Sequence, residues 1–175
     1  VACQPETGRS AREPDGSQES VLRRGLGAEP GTLDPHAAED NAALALSAEL
    51  YEGLVAESAE GVVTPGAAES WSVSPDGRTH PFALRPGLRW SDGDELTSAP
   101  FAAALRNVTA PTSTAPFGGL LADLERIEAP DERTLILTLG RPIPHLPALL
   151  ALPVAAPLHP RVDAITPSPV NGPYQ

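Results

Sequence analysis

The chain of 175 residues has one cysteine, no methionine and only 4% aromatic residues. It also has no lysine: all 12 basic residues are arginines, set against 23 acids. A net charge of −11 leaves no clustered basic surface to neutralise a nucleic-acid backbone, so a nucleic-acid partner is excluded. A single cysteine, Cys3, cannot close a disulfide within the chain. No apolar run approaches the ~18 residues that a membrane-spanning helix needs. The four histidines, His36, His80, His145 and His159, show no His-Glu-x-x-His or similar metal spacing. There is no Gly-x-Ser-x-Gly nucleophile turn. Gly25-Leu-Gly27 runs into Pro30 with no helix pattern opening there, which removes the dinucleotide-loop reading. The expectation is a protein without metal or cofactor and without catalysis.

What is present is a hydrophobic fraction of 41%, enough at this length for one domain with its own core. The start, Val1-Ala2-Cys3-Gln4, resembles the end of a bacterial lipoprotein signal, which makes Cys3 the expected lipidation site. Residues 4–20 carry no large aliphatic or aromatic side chain and read as a solvated tether. Two segments follow: residues 1–20 as lipoprotein N-terminus and tether, and residues 21–175 as the folded part.

Within the folded part, VLRRGLG (21–27) reads as a strand. Asp40 or Asn41 caps a helix in which Leu44, Ala48 and Tyr51 share one face, and Gly53 ends it. Ser74-Pro75-Asp76-Gly77 is a turn between strands; Trp71 and Val73 share a face before it, His80, Phe82 and Leu84 after it. Leu88 and Trp90 read as a further short strand ending at Asp92-Gly93. Thr97 caps a helix with Pro100 in its first turn and Phe101, Leu105 and Val108 facing a core. Residues 110–119 form a loop, and two strands meet at Pro130-Asp131-Glu132, with Leu135, Leu137 and Leu139 on one face. HLPALLAL (145–152) reads as a short helix. Helices and antiparallel strands interleave without a regular βαβ repeat, so the class is α+β.

Acids crowd both tryptophans: Glu69 and Asp76 near Trp71, and Asp92, Asp94 and Glu95 near Trp90. A calcium loop counted from Asp92 fails, because Leu96 and Thr97 stand where an oxygen ligand and a glycine are required. A carboxylate-dependent hydrolase needs one acid of raised pKa, which acids in exposed turns seldom supply. They read instead as turn formers bonding their own backbone.

The chain resembles the extracytoplasmic solute-binding protein family that includes oligopeptide- and dipeptide-binding proteins of ABC importers. The resemblance rests on Thr32-Leu33-Asp34-Pro35-His36, Leu50-Tyr51-Glu52-Gly53-Leu54, Pro65-Gly66-Ala67-Ala68-Glu69-Ser70-Trp71, Leu84-Arg85-Pro86-Gly87-Leu88-Arg89-Trp90-Ser91-Asp92-Gly93, Ala129-Pro130-Asp131 with Thr134-Leu135, and Asn171-Gly172-Pro173-Tyr174. These occur in the family's order across residues 21–175.

The resemblance implies the N-terminal part of the first lobe of a two-lobe periplasmic-binding-protein-like fold of class II, cluster C. The tryptophans become scaffold anchors. The function implied is capture of a solute, with a peptide foremost, and delivery to an ABC importer permease. The location implied is extracytoplasmic, in the periplasm or at the cell surface, with the membrane reached only through the lipid on Cys3. The loop after Leu-Asp-Pro-His maps the ligand contacts onto Glu39, Asp40 and Asn41. The aromatic of a Ser-Pro-Tyr segment maps onto Phe117 of Ala115-Pro116-Phe117, where the hydroxyl is missing.

The chain departs from the family at Pro81, acceptable in a strand only on an edge, and at Pro100, where a capping-box acid or amide is usual. Family members also run far beyond Asn-Gly-Pro-Tyr, so the chain reads as a fragment without the second lobe. A truncated lobe serving only protein interaction is the alternative.

Overall fold

The computed structural model describes residue 25, residues 27–161 and residues 169–172. Cys3, the tether and nearly all of the expected 21–27 strand lie outside the described residues. The elements are α1 (Asn41–Leu50), β1 (Val55–Glu57), β2 (Val63–Pro65), β3 (Ala68–Trp71), β4 (Thr79–Leu84), α2 (Ser98–Thr109), β5 (Leu124–Asp131), β6 (Thr134–Leu139) and α3 (Leu146–Leu149). Short 3-10 turns cover Gly118–Leu121 and Pro153–Ala155. The class is α+β. β1 and β2 form an antiparallel ribbon, and the main sheet is antiparallel in the order β3-β4-β6-β5.

Strict alternation builds the sheet. In β6, Leu135, Leu137 and Leu139 are fully buried, while Ile136 and Thr138 between them are half-buried. β4 contributes His80, Phe82 and Leu84 to the same layer through the pairs Phe82↔Leu135 and His80↔Leu137. α2 covers that layer with Phe101, Leu105 and Val108, all buried, and packs on β5 and β6. The β3–β4 turn works as its residues dictate. Gly77 takes φ 70°, a left-handed conformation that favours glycine, and its N–H donates to the Ser74 carbonyl at 2.8 Å.

Several expectations change. In α1 the buried positions are Ala42, Ala43 and Ser47; Ala48 is exposed and Leu44 only half-buried, so the core stripe sits one residue earlier than the leucines indicate. The helix ends at Leu50, and Gly53 acts by close packing rather than as a cap. Thr97 holds the N-cap position of α2 without a side-chain cap bond; Ser98 instead ties the helix start to the β5–β6 turn, its N–H donating to the Glu132 carbonyl at 2.8 Å.

Leu88 and Trp90 are buried but form no strand. A single bridge, Arg89↔Glu95, closes that loop, with Leu96 N–H donating to Leu88 O at 3.0 Å and Trp90 N–H to Asp94 O at 2.9 Å. Trp71, half-buried, packs on the core beside Phe82, while Val73 beyond the end of β3 is exposed, so the face they were expected to share reaches the core only at Trp71. The helix expected over 145–152 is confined to Leu146–Leu149, because Pro153 holds Leu152 in an extended conformation at ψ 147°.

Pro81 lies in β4, which is an interior strand. Its carbonyl accepts from Ser72 N–H at 3.2 Å, so its nitrogen also faces the β3 side, level with Ser72 and just past the end of β3. The missing N–H therefore costs one bond beyond the last residue of β3 and none in the ladder to β6, which pairs Pro81 with Ile136.

Candidate functional site

The loop of residues 32–36 is fixed by its own polar atoms. Thr32 Oγ1 accepts from Asp34 N–H at 3.0 Å, and Asp34 Oδ1 accepts from His36 N–H at 2.9 Å. Ala37 N–H donates to the Asp34 carbonyl at 3.1 Å. The buried His36 ring then anchors the loop, Nε2 donating to the Ala156 carbonyl at 2.9 Å.

Asp40 closes the approach to α1. Its Oδ1 accepts from Ala43 N–H at 2.8 Å and its Oδ2 from Gly31 N–H at 2.9 Å. These two backbone donors, Ala43 first, hold the Asp40 carboxyl below the usual range. Glu39 and Asn41 on either side are exposed.

Opposite stands the segment that leaves α2. Ser113 N–H donates to the Ala110 carbonyl at 2.9 Å and Gly118 N–H to the Ala115 carbonyl at 3.0 Å, which folds residues 110–118 into consecutive turns. Phe117 is 37% exposed at the start of the 3-10 turn that follows.

Between the two loops lies a groove of about 330 Å³, lined by Asp34, His36 and Ala37 on one side and by Asn107 and Thr112–Ala115 on the other. Glu39, Asp40, Asn41 and Phe117 do not line it. They belong to the two segments that border it, Glu39 two residues beyond Ala37 and Phe117 two beyond Ala115. Asp40 serves as a helix cap. The lining residues that sequence reasoning missed are Asn107, Thr112, Ser113 and Thr114. Their signal was a hydroxyl-rich run directly after a helix whose last turn is polar.

A larger cleft of about 750 Å³ opens elsewhere, walled by the end of α1, by β1 and by residues 85–89, 151–153 and 171–172. At its rim Arg85 grips Glu52 through two bonds, Nη1–Oε1 at 2.9 Å and Nη2–Oε2 at 2.6 Å, and also donates to the Gly66 carbonyl. Asn171 takes both backbone groups of Glu52: its Oδ1 accepts from the N–H at 3.1 Å and its Nδ2 donates to the carbonyl at 2.8 Å. Gly172 N–H donates to the Leu50 carbonyl at 2.8 Å.

The acids near Trp90 do more than form a turn. Asp92 Oδ1 accepts from Asp94 N–H at 3.1 Å, as a turn former should. The Arg161 guanidinium, however, bridges the other carboxylate oxygens of Asp92 and Asp94. His159, buried edge-on against Trp90, puts Nε2 3.7 Å from both. Asp92, Asp94 and His159 thus offer three donor atoms within 4.8 Å of one another. His159 Nδ1 accepts from Arg161 N–H at 3.1 Å, which places the ring proton on Nε2, facing the carboxylates. That tautomer does not offer a metal the Nε2 lone pair, and a cationic side chain already spans the acids. The same pairing leaves no uncommitted carboxylate pair there for acid–base hydrolysis.

Comparison with known proteins accords with this picture of a binding lobe. Residues 62–175 match the model of the bacterial extracellular solute-binding proteins, family 5 Middle. The chain is 35% identical over 157 residues to the probable deoxycholate-binding periplasmic protein YgiS of Escherichia coli, covering 80% of this chain and 29% of that protein. It is 39% identical over 117 residues to the periplasmic oligopeptide-binding protein OppA of Haemophilus influenzae, covering 67% of this chain and 21% of that protein. The crystal structure of Haemophilus influenzae OppA with the peptide RPPGFSPFR superposes with a TM-score of 0.73 at 33% identity, over 77% of this chain and 29% of that one. The agropinic acid complex of AgaA from A. tumefaciens superposes with a TM-score of 0.71 at 35% identity, over 74% of this chain and 26% of that one. The matched proteins are binding proteins, and the chain covers part of a lobe of their fold. The chain belongs to the family 5 bacterial extracellular solute-binding proteins, and it spans less than a third of the length of these relatives.

Proposed function

We propose that the chain is the N-terminal part of an extracytoplasmic peptide-binding protein that delivers its ligand to an ABC importer permease. The groove between residues 34–37 and 107–115 is its share of the ligand wall. The observation that carries the reading is the groove itself. Two loops held rigid by their own hydrogen bonds present a row of amide and hydroxyl groups at its surface. Such groups suit the N–H and C=O of an extended peptide. The relatives named as oligopeptide-binding support the peptide class. Glu39, Asn41 and Phe117 stand at the groove's borders as second contacts, with Phe117 supplying apolar surface for a ligand side chain. A lobe of this size covers a ligand on one face only, so high affinity belongs to a protein with both walls.

The test is a heteronuclear NMR titration of the chain with a millimolar peptide pool. Amide shifts should concentrate at Asn107 and Thr112–Ala115, and Phe117→Ala should weaken them without lowering the melting temperature. Shifts confined to the larger cleft, or absent altogether, refute the reading.

Membrane attachment through a diacylglycerol thioether on Cys3 completes the proposal. The signal-bearing precursor made in a lipoprotein-processing bacterium should partition into detergent, and Cys3→Ser should not. Equal partitioning of the two removes the anchor.

A further inference from the structure

We propose that the groove selects a positively charged ligand group, with Asp34 as the residue that sets the preference. The inference rests on the groove being part of a ligand wall. Asp34 is the one acid in the lining; Asn107 and Thr112–Thr114 bring amide and hydroxyl groups without formal charge. Glu39, also exposed, lies five residues further on, just beyond the lining residue Ala37. Among the described residues neither Asp34 nor Glu39 has an ion pair. Arg106, next to Asn107 in α2, is turned away, its Nη2 donating to the Ile127 carbonyl on β5.

The feature that ordinarily attracts anions is also spent. A helix N-terminus favours negative charge through its free N–H groups. At α1 the chain's own Asp40 carboxylate occupies the Ala43 N–H and draws in the Gly31 N–H as well. An incoming carboxylate would therefore face the Asp34 carboxylate in the lining, with Glu39 and Asp40 adding like charge only from the segment that borders the groove. An ammonium or guanidinium would find the Asp34 carboxylate, held in place by the His36 N–H, and hydroxyl acceptors across the groove. Asp34 is also, after burial, the second cause that raises the Tyr51 phenol above its usual pKa.

The experiment is a set of NMR titrations with three matched peptides, Ala-Lys-Ala-Lys-Ala, Ala-Gln-Ala-Gln-Ala and Ala-Glu-Ala-Glu-Ala, at low and at high salt. The lysine peptide should bind about tenfold more tightly than the glutamate peptide at low salt, the product of two exposed-charge effects of about threefold each. The ratio should shrink at high salt. Asp34→Asn keeps the oxygen that holds the His36 N–H, so the turn survives; the ratio should fall to about threefold. Glu39→Gln should lower it by a similar step, and serves if Asp34→Asn alters the fold. Glu57→Gln, in the other cleft, should leave the ratio unchanged and reports on the general effect of a chain with net charge −11. Equal affinities for the three peptides, or a Glu57→Gln effect as large as that of Asp34→Asn, overturn charge selection and leave the groove reading standing. Absence of groove shifts with every peptide overturns both.

Discussion

Trp90→Ala is expected to destabilise the fold by about 3–5 kcal/mol, the range for truncating a fully buried large aromatic. Trp71→Ala is expected to lose about 1–2 kcal/mol, an ordinary mutational effect. The two tryptophans occupy similar sequence settings, each beside serine and acids, yet the structure separates them. Trp90 is 1% exposed in the main core, and the buried His159 ring packs edge-on against it at a centroid distance of 5.0 Å. Removing the indole opens a cavity bordered by backbone that Asp94 and Leu96 hold in place, so the site cannot collapse cheaply. Loss of the indole also frees His159, and with it the Arg161 bridge to Asp92 and Asp94. Trp71 is half-buried on the edge strand β3, stacked on Phe82 at 6.3 Å, and water can replace part of what it loses. Urea unfolding followed by far-ultraviolet circular dichroism measures both. Equal losses would mean that the sequence symmetry, and not the burial, describes these residues. Trp90→Phe should recover most of the loss and leave peptide shifts in the groove unchanged, because Trp90 does not line it.

The parts of the fold legible in the sequence were those written in a short period. Leu135, Leu137 and Leu139 announce a strand face by alternation, and Phe101, Leu105 and Val108 a helix face by three- and four-residue spacing; both sit in the core as read. In α1 the leucines mislead, because Leu44, Leu46 and Leu50 lie half-covered while Ala43 and Ser47 take the core. Hydrophobicity cannot reveal that a small residue is wanted where another segment approaches closely.

The candidate site was legible only as a neighbourhood. Resemblance pointed to the two loops around Glu39–Asn41 and Phe117, and the structure sets those loops on either side of one groove. The lining, Asp34, Asn107 and Thr112–Thr114, depends on where α2 ends relative to the 32–36 loop. That is a tertiary distance with no periodic trace in the chain.

The resemblance motifs have a further physical content that no single segment displays. Leu50-Tyr51-Glu52-Gly53-Leu54, Pro65-Gly66-Ala67, Leu84-Arg85 and Asn171-Gly172 converge on one place. Arg85 grips the Glu52 carboxylate, Asn171 its backbone, and Arg85 N–H donates to the Ala67 carbonyl at 3.0 Å. Segments up to 119 residues apart are thus one knot.

Gly53→Ala tests that knot, with an expected loss of about 1–3 kcal/mol from overpacking. The loss is not a matter of backbone conformation, since Gly53 is not among the glycines of positive φ. A methyl added at Gly53 would sit 2.8 Å from the Leu150 carbonyl oxygen and 3.1 Å from that of Val55. Both are backbone atoms, which cannot swing aside as the end of a side chain can. The Gly53 carbonyl in turn accepts from Ala67 N–H at 3.0 Å, so pushing this segment outward stretches the bond that joins it to the start of β3. Alanine restricts the unfolded chain and so returns about 0.4–1 kcal/mol, which the clash must exceed. Gly87→Ala supplies the contrast. It has φ 75° and nothing within 4 Å of an added methyl, so it reports left-handed strain alone, about 1–2 kcal/mol before the same unfolded-state gain. Gly53→Ala should therefore be the more destabilising of the pair in urea unfolding. It should also weaken the grip of Arg85 and Asn171 on Glu52, seen as faster amide exchange at Glu52 and Gly172. If Gly53→Ala proves no worse than Gly87→Ala and exchange at those amides is unaltered, the close approach is relieved by movement of the 150–151 segment. The knot would then not be the rigid centre that holds the lobe together.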